Sequence, residues 1–160
     1  MRREGGYRLH KVAGDTGGWT YAGIARGKNP QWSGWDYIDR GDTPPTEMVP
    51  AFYRSGYWEP IKGDMLRYDI AASIFDFAVN TSAPGRPTLA VKLAQLVAGV
   101  TPDGSMGPVS VAALNGLTMN AFHLGFFAAK VKRYAEIVNR DRSQVKFLLG
   151  WLNRSLGALE

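Results

Sequence analysis

Helical spacing begins at Asp64 and persists to Gly157; before it, no comparable period exists. That switch limits what the chain can fold into. Residues 1–63 are rich in Gly, Pro, Trp and Tyr, which read as loops carrying short elements. Residues 64–157 place apolar side chains three and four apart, the mark of amphipathic helices. The best of these is DMLRYDIAASIFDFAV, 64–79, where Ile70, Ile74 and Phe77 share one face with Leu66 a turn earlier. Asn80 and Pro84-Gly85 end it. Thr88 is placed to cap a helix over 89–98 that closes at Gly99. Pro108 and Gly116 bracket another, Thr118 opens a long helix to about Arg140, and Ser143 opens the last, 144–154. With a helix at 46–56 capped by Thr46, the expectation is an all-α fold of about six helices. The only room for β-structure is a short hairpin at Trp19–Ala25.

At 160 residues the chain can bury a core large enough to fold without staples. It contains no cysteine, which removes disulfides, thiolate metal sites and a cysteine nucleophile. Its two histidines, His10 and His123, lie too far apart to suggest a metal pair or a triad, and read as structural or exposed. The net charge of +5 favours an anionic partner, but the basic residues are dispersed, which argues against nucleic acid. No apolar stretch is long enough for a membrane span. MRREGGYRLH lacks the apolar core of a signal peptide, so a protein made in the cytoplasm and delivered to its target by another factor is expected.

The chemistry-bearing residues gather at the front: Glu4-Gly5-Gly6-Tyr7, then Asp15-Thr16-Gly17-Gly18-Trp19-Thr20-Tyr21-Ala22-Gly23-Ile24. A carboxylic acid beside paired glycines suits a turn into a cleft, where a glycosidase needs a proton donor for the departing glycosidic oxygen. A second polar group must face the other side of the sugar, and Asp15 and Thr20 are the nearby candidates. Tyr7, Trp19 and Tyr21 are candidates for an apolar wall that keeps the acid protonated and meets the sugar. The competing reading is a glycine-rich turn with Glu4 as an exposed cap. Asp76 and Asn80, four apart on one helix face, are candidates to bind an acetamido group or, equally, buried polar groups bonded to backbone. Trp32, Trp35 and Tyr37 form either a stacking ledge or ordinary packing, with packing favoured. Trp151 reads as core and Asp103-Gly104 as a turn.

The pattern EGGY followed by D-x-G-G-x-T-x-x-G-I resembles the glycoside hydrolase family 108 muramidases. Further likenesses keep the same order: Tyr57-Trp58, Phe75-Asp76-Phe77-Ala78-Val79-Asn80, Leu93-Ala94-Gln95 through Gly99-Val100, Asp103-Gly104-Ser105-Met106-Gly107-Pro108, and Gly150-Trp151-Leu152-Asn153-Arg154. The third and fourth of these resemble an associated peptidoglycan-binding lobe. The resemblance implies a lysozyme-like helical fold, with a catalytic region at 1–85 and a wall-binding lobe at 86–160. It implies cleavage of the β-1,4 bond between N-acetylmuramic acid and N-acetylglucosamine in peptidoglycan strands, as in phage-type lysozymes that act in bacterial lysis. Glu4 would be the general acid, with Asp15 and Thr20 on the water side, and no metal or organic cofactor is implied. Family members usually carry an apolar helix before the EGG motif, whereas only Met1-Arg2-Arg3 precedes it here. The alternative is therefore a catalytically inactive wall-binding or structural module, such as a phage particle component, on the same fold.

Overall fold

The computed structural model describes residues 7–11 and 18–157. Two compact units are present, Met1–Arg54 and Ser55–Glu160.

In the first unit three short strands, β1 (Leu9–Lys11), β2 (Trp19–Tyr21) and β3 (Ile24–Ala25), form an antiparallel sheet in that order. The expected hairpin at 19–25 is β2–β3, and Ala22 and Gly23 at its turn have φ of 48° and 82°. Positive φ at both turn residues matches the right-handed twist of the flanking strands. β1 is an addition; it pairs Leu9 with Tyr21 and Lys11 with Trp19. Two helices follow, α1 (Gly34–Asp39) and α2 (Met48–Tyr53). Their core is aromatic. Tyr21 stacks on Trp32 at 5.9 Å, and Trp32 meets the edge of Trp35 at 5.2 Å. Ile24 and Val49 complete this cluster. Trp32 and Trp35 are thus packing residues, as favoured, and the Trp35 indole donates to the Asn29 carbonyl at 2.9 Å. Helix α1 was not expected; it is short and opens on a glycine, leaving little period to read.

A π-helical turn, Arg54–Trp58, starts on the last residue of the first unit, and the second unit continues with a 3-10 turn, Gly63–Met65. Five α-helices follow: α3 (Tyr68–Thr81), α4 (Thr88–Val97), α5 (Pro108–Asn115), α6 (Met119–Arg140) and α7 (Val145–Leu156). Phe77 of α3 meets Phe126 of α6 edge-on at 5.8 Å, and Phe126 stacks on Phe122 at 5.2 Å. Ile70, Ile74, Val91 and Leu114 are fully buried with them, each contributing about 1.5–3 kcal/mol through burial. Gly125 lets α6 approach α4, since a Cβ there would lie 2.8 Å from Val97 Cγ1.

The mostly helical fold agrees with expectation, with local corrections. The helix expected from residue 64 begins at Tyr68. The Asn115 side chain accepts from the Arg67 backbone N–H at 2.9 Å and donates to the Met65 carbonyl, also at 2.9 Å. These bonds hold the preceding residues out of the helix; Leu66 is buried but extended. Thr118 caps α6 as expected, accepting from the Ala121 N–H at 3.2 Å. Thr88, by contrast, is the first residue of α4, behind Pro87. The residue that caps ahead of α7 is Asp141, not Ser143; it accepts from Ser143 N–H at 3.0 Å and opens a 3-10 turn, Arg142–Gln144. The cap position of α2 is held by Glu47 rather than Thr46. Among the described residues, no helix is long and apolar enough to cross a membrane.

Candidate functional site

Strand β2 carries three of the candidate site residues, Trp19, Thr20 and Tyr21, and Tyr7 lies just before β1. Thr20 sits mid-way along β2, opposite His10 on one side and Ala25 on the other, and is half-buried. Tyr7 and Trp19 are exposed, each at 47%. Large aromatic side chains exposed on a small sheet and just before it are unusual for packing residues, and aromatic rings of this kind suit the apolar faces of sugars. Tyr21 differs. It is only 4% exposed; one ring face is taken by Trp32, and Tyr7 meets it edge-on at 6.4 Å. Tyr21 therefore acts as a core residue beneath Tyr7 rather than as a free wall. Burial, and secondarily the neighbouring Tyr7, raises the pKa of its phenol. Glu4 and Asp15 lie outside the described residues.

Asp76 and Asn80 belong to the second unit, and the structure brings them together. Both line a cavity of about 410 Å³ between α3, α4, α6 and α7. Part of Asn80 is already engaged: its amide donates to the Asp76 carbonyl at 2.6 Å and its oxygen accepts from Arg154. The alternative of a buried polar residue is met only in part for Asn80, which is bonded to nearby backbone but exposed, and which lines the cavity. Trp151, expected as core, is half-buried and lines the same cavity, packed 5.3 Å from the Tyr134 ring. The Tyr134 hydroxyl and Ser155 hydroxyl share a 3.0 Å hydrogen bond at the cavity edge.

Two charged lining residues, Lys130 and Arg133, were not singled out as site residues from the sequence. Lys130 is 5% exposed. A signal for it existed: Phe122, Phe126, Lys130, Tyr134 and Val138 recur every four residues along α6, and all are buried. A lysine inside such an apolar ladder is a buried charge, which normally requires a partner. Burial lowers the Lys130 pKa, and the Asp76 carboxylate pulls it partly back. Among the described residues, no three His, Asp or Glu side chains gather into a metal-binding group.

The turn at Asp103-Gly104 is held from beneath by Gln95, which is buried. The two N–H groups of its amide are shared among three acceptors, Asp103, the Ser105 carbonyl and the Ser110 hydroxyl, at 2.7, 3.0 and 3.0 Å. Its oxygen accepts from the Gly104 N–H at 2.8 Å. The arrangement is a structural anchor for a turn, as the sequence suggested.

Comparison with known proteins agrees with these observations. The family described as "Glycosyl hydrolase 108" matches residues 1–81, a segment that contains every catalytic and substrate-binding candidate drawn from the sequence. A "Predicted Peptidoglycan domain" matches residues 89–156. No curated protein matches the chain. Among solved structures, "Structure of Brucella abortus SagA" is similar, with 26% identity and a TM-score of 0.68 over 98% of this chain and 85% of that one. On the strength of that match over half its length, the chain belongs to the glycosyl hydrolase 108 family, followed by a peptidoglycan domain.

Proposed function

We propose that this protein is a muramidase that hydrolyses the β-1,4 bond between N-acetylmuramic acid and N-acetylglucosamine. The observation that carries the reading is the coincidence of the hydrolase-family match, residues 1–81, with the ordered motif Glu4-Gly5-Gly6-Tyr7 and Asp15 to Ile24. Glu4 is the general acid and protonates the departing glycosidic oxygen; to do so at neutral pH its pKa must rise above the usual carboxylate range. Asp15 and Thr20 stand on the opposite side of the sugar and hold the attacking water or stabilise the cationic ring. The exposed rings of Tyr7 and Trp19 support the reading, since they suit stacking against the glycan. Residues 1–85 carry the chemistry, and 86–160 hold the wall. The protein meets its substrate outside the membrane, through lysis, entry or remodelling.

The test is muropeptide release from purified peptidoglycan by the wild type and by Glu4→Gln, read by mass spectrometry. Reducing N-acetylmuramic acid ends from the wild type alone support the proposal. Anhydro-sugar products would identify a lytic transglycosylase instead. No release by either protein, with binding to the wall retained, would identify an inactive wall-binding module.

A further inference from the structure

Three cationic side chains, Lys130, Arg133 and Arg154, line the cavity of the second unit together with the Asp76 carboxylate, and Arg154 is engaged with Asn80. Lys130 has no ion pair within 4 Å among the described residues and is almost fully buried. Arg133 reaches Glu136 with one terminal nitrogen at 3.5 Å, while its Nε is buried without a hydrogen-bond partner among the described residues. Burying a guanidinium edge with that N–H open costs free energy that an incoming anion recovers, and the Lys130 ammonium, which lies 5.2 Å from the Phe126 ring centroid, adds a second positive charge to attract it. A guanidinium fork beside an ammonium suits a carboxylate, which accepts from both in fixed geometry. The apolar part of the wall, Phe77, Leu89 and Trp151, suits aliphatic carbon next to that carboxylate. Asp76 offers the opposite charge to an amine. At about 410 Å³ the cavity holds a small ligand rather than a polymer surface.

We infer that this cavity binds a free carboxylate of the peptide stem of peptidoglycan, with Lys130 and Arg133 as its ligands and the apolar wall against the adjoining side chain. The stem fits better than the glycan. It carries several carboxylates and, at its diamino acid, an amine for Asp76. The lactyl carboxylate of the sugar is consumed in the amide bond wherever a stem is attached. The inference rests on peptidoglycan being the substrate, and it names a second point of recognition that engages peptide rather than sugar. It requires no bond to be broken.

The experiment uses the full chain and calorimetric titration with a stem tripeptide, L-alanyl-γ-D-glutamyl-diaminopimelate, which contains no glycosidic bond. Its outcome is therefore independent of whether the protein cleaves glycan. The wild type is expected to bind it, and Lys130→Met and Arg133→Gln each to weaken binding about tenfold, the loss of one charge-assisted hydrogen bond. The same peptide with its carboxylates amidated is expected to bind at least about tenfold more weakly. Thermal melting identifies a variant that fails to fold, and the second substitution then carries the test. Equal binding of free and amidated peptide, indifference to both substitutions, or no binding would overturn the inference. Lys130-dependent binding of the stem-free disaccharide, with none of the tripeptide, would also overturn it and place the sugar's lactyl carboxylate in the cavity.

Discussion

The Tyr53 hydroxyl donates a 3.0 Å hydrogen bond to the Ala22 carbonyl, tying α2 to the turn between β2 and β3. Ala22 has a left-handed backbone, a conformation that costs a residue with a side chain about 1–2 kcal/mol. The bond helps hold that turn. Tyr53→Phe is expected to lower stability by about 1 kcal/mol, read from urea unfolding followed by tryptophan fluorescence. An unchanged midpoint would show that the packing of Ala22 alone fixes the turn.

Gly34 opens α1 directly over the Trp32 ring. A Cβ there would lie 2.3 Å from two of its atoms, Cη2 and Cζ2. The ring has nowhere to retreat, since Tyr21 stacks on it and Trp35 meets it edge-on. Gly34→Ala is therefore expected to destabilise the first unit by about 1–3 kcal/mol, despite the better helix propensity of alanine. Near-ultraviolet circular dichroism of the tryptophans, combined with a melt, checks both the repacking and the cost.

Gln95 is bonded to Asp103, Gly104 and Ser105 in the turn after α4 and to Ser110 in α5. Gln95→Leu preserves bulk but strands the Gly104 N–H and the Ser110 hydroxyl. A loss of at least about 2 kcal/mol is expected in equilibrium unfolding. Amide exchange at Gly104 should accelerate in the same variant, which separates the loss of this anchor from a diffuse core effect.

Acid should weaken both units through paired carboxylates. The Arg26 guanidinium hydrogen-bonds both oxygens of Asp39, at 2.6 and 2.7 Å, and holds its pKa below the usual value. The Ser105 N–H and then Gln95 do the same for Asp103. A depressed folded pKa means stability that is present above the unfolded value and lost as pH falls through the folded one. The window is therefore acidic, below about pH 4. Urea midpoints measured from neutral pH downward should fall there, and Asp39→Asn and Asp103→Asn should each flatten the decline. Both groups are exposed, so the effect should shrink in high salt.

Much of the fold is legible wherever period and punctuation coincide. Pro108 and Gly116 bracket α5, and Thr118 caps α6, because these signals act over one turn of chain. The turn at Ala22-Gly23 is local in the same way. What escapes is set by distant partners. Asn115 removes Leu66 from the start of α3 across nearly fifty residues, and β1 exists only because it pairs with β2. For the candidate site, Asp76 and Asn80 were visible as a pair on one helix face. The cations opposite them arrive from α6 and α7 and become neighbours only through packing. Lys130 alone announced itself, as the charged rung of an apolar ladder.

The boundary between the two family matches falls in the loop after α3, yet the fold does not divide there. α3, from the hydrolase match, supplies Ile70, Ile74 and Phe77 to the core that α4 and α6 complete. It also supplies Asp76 and Asn80 to the cavity. The peptidoglycan segment is therefore not a cassette. Transplanted alone onto another enzyme, it would expose the apolar face that α3 covers and lose one side of its pocket. Shuffling the two parts between relatives would have to carry α3 along with the tail.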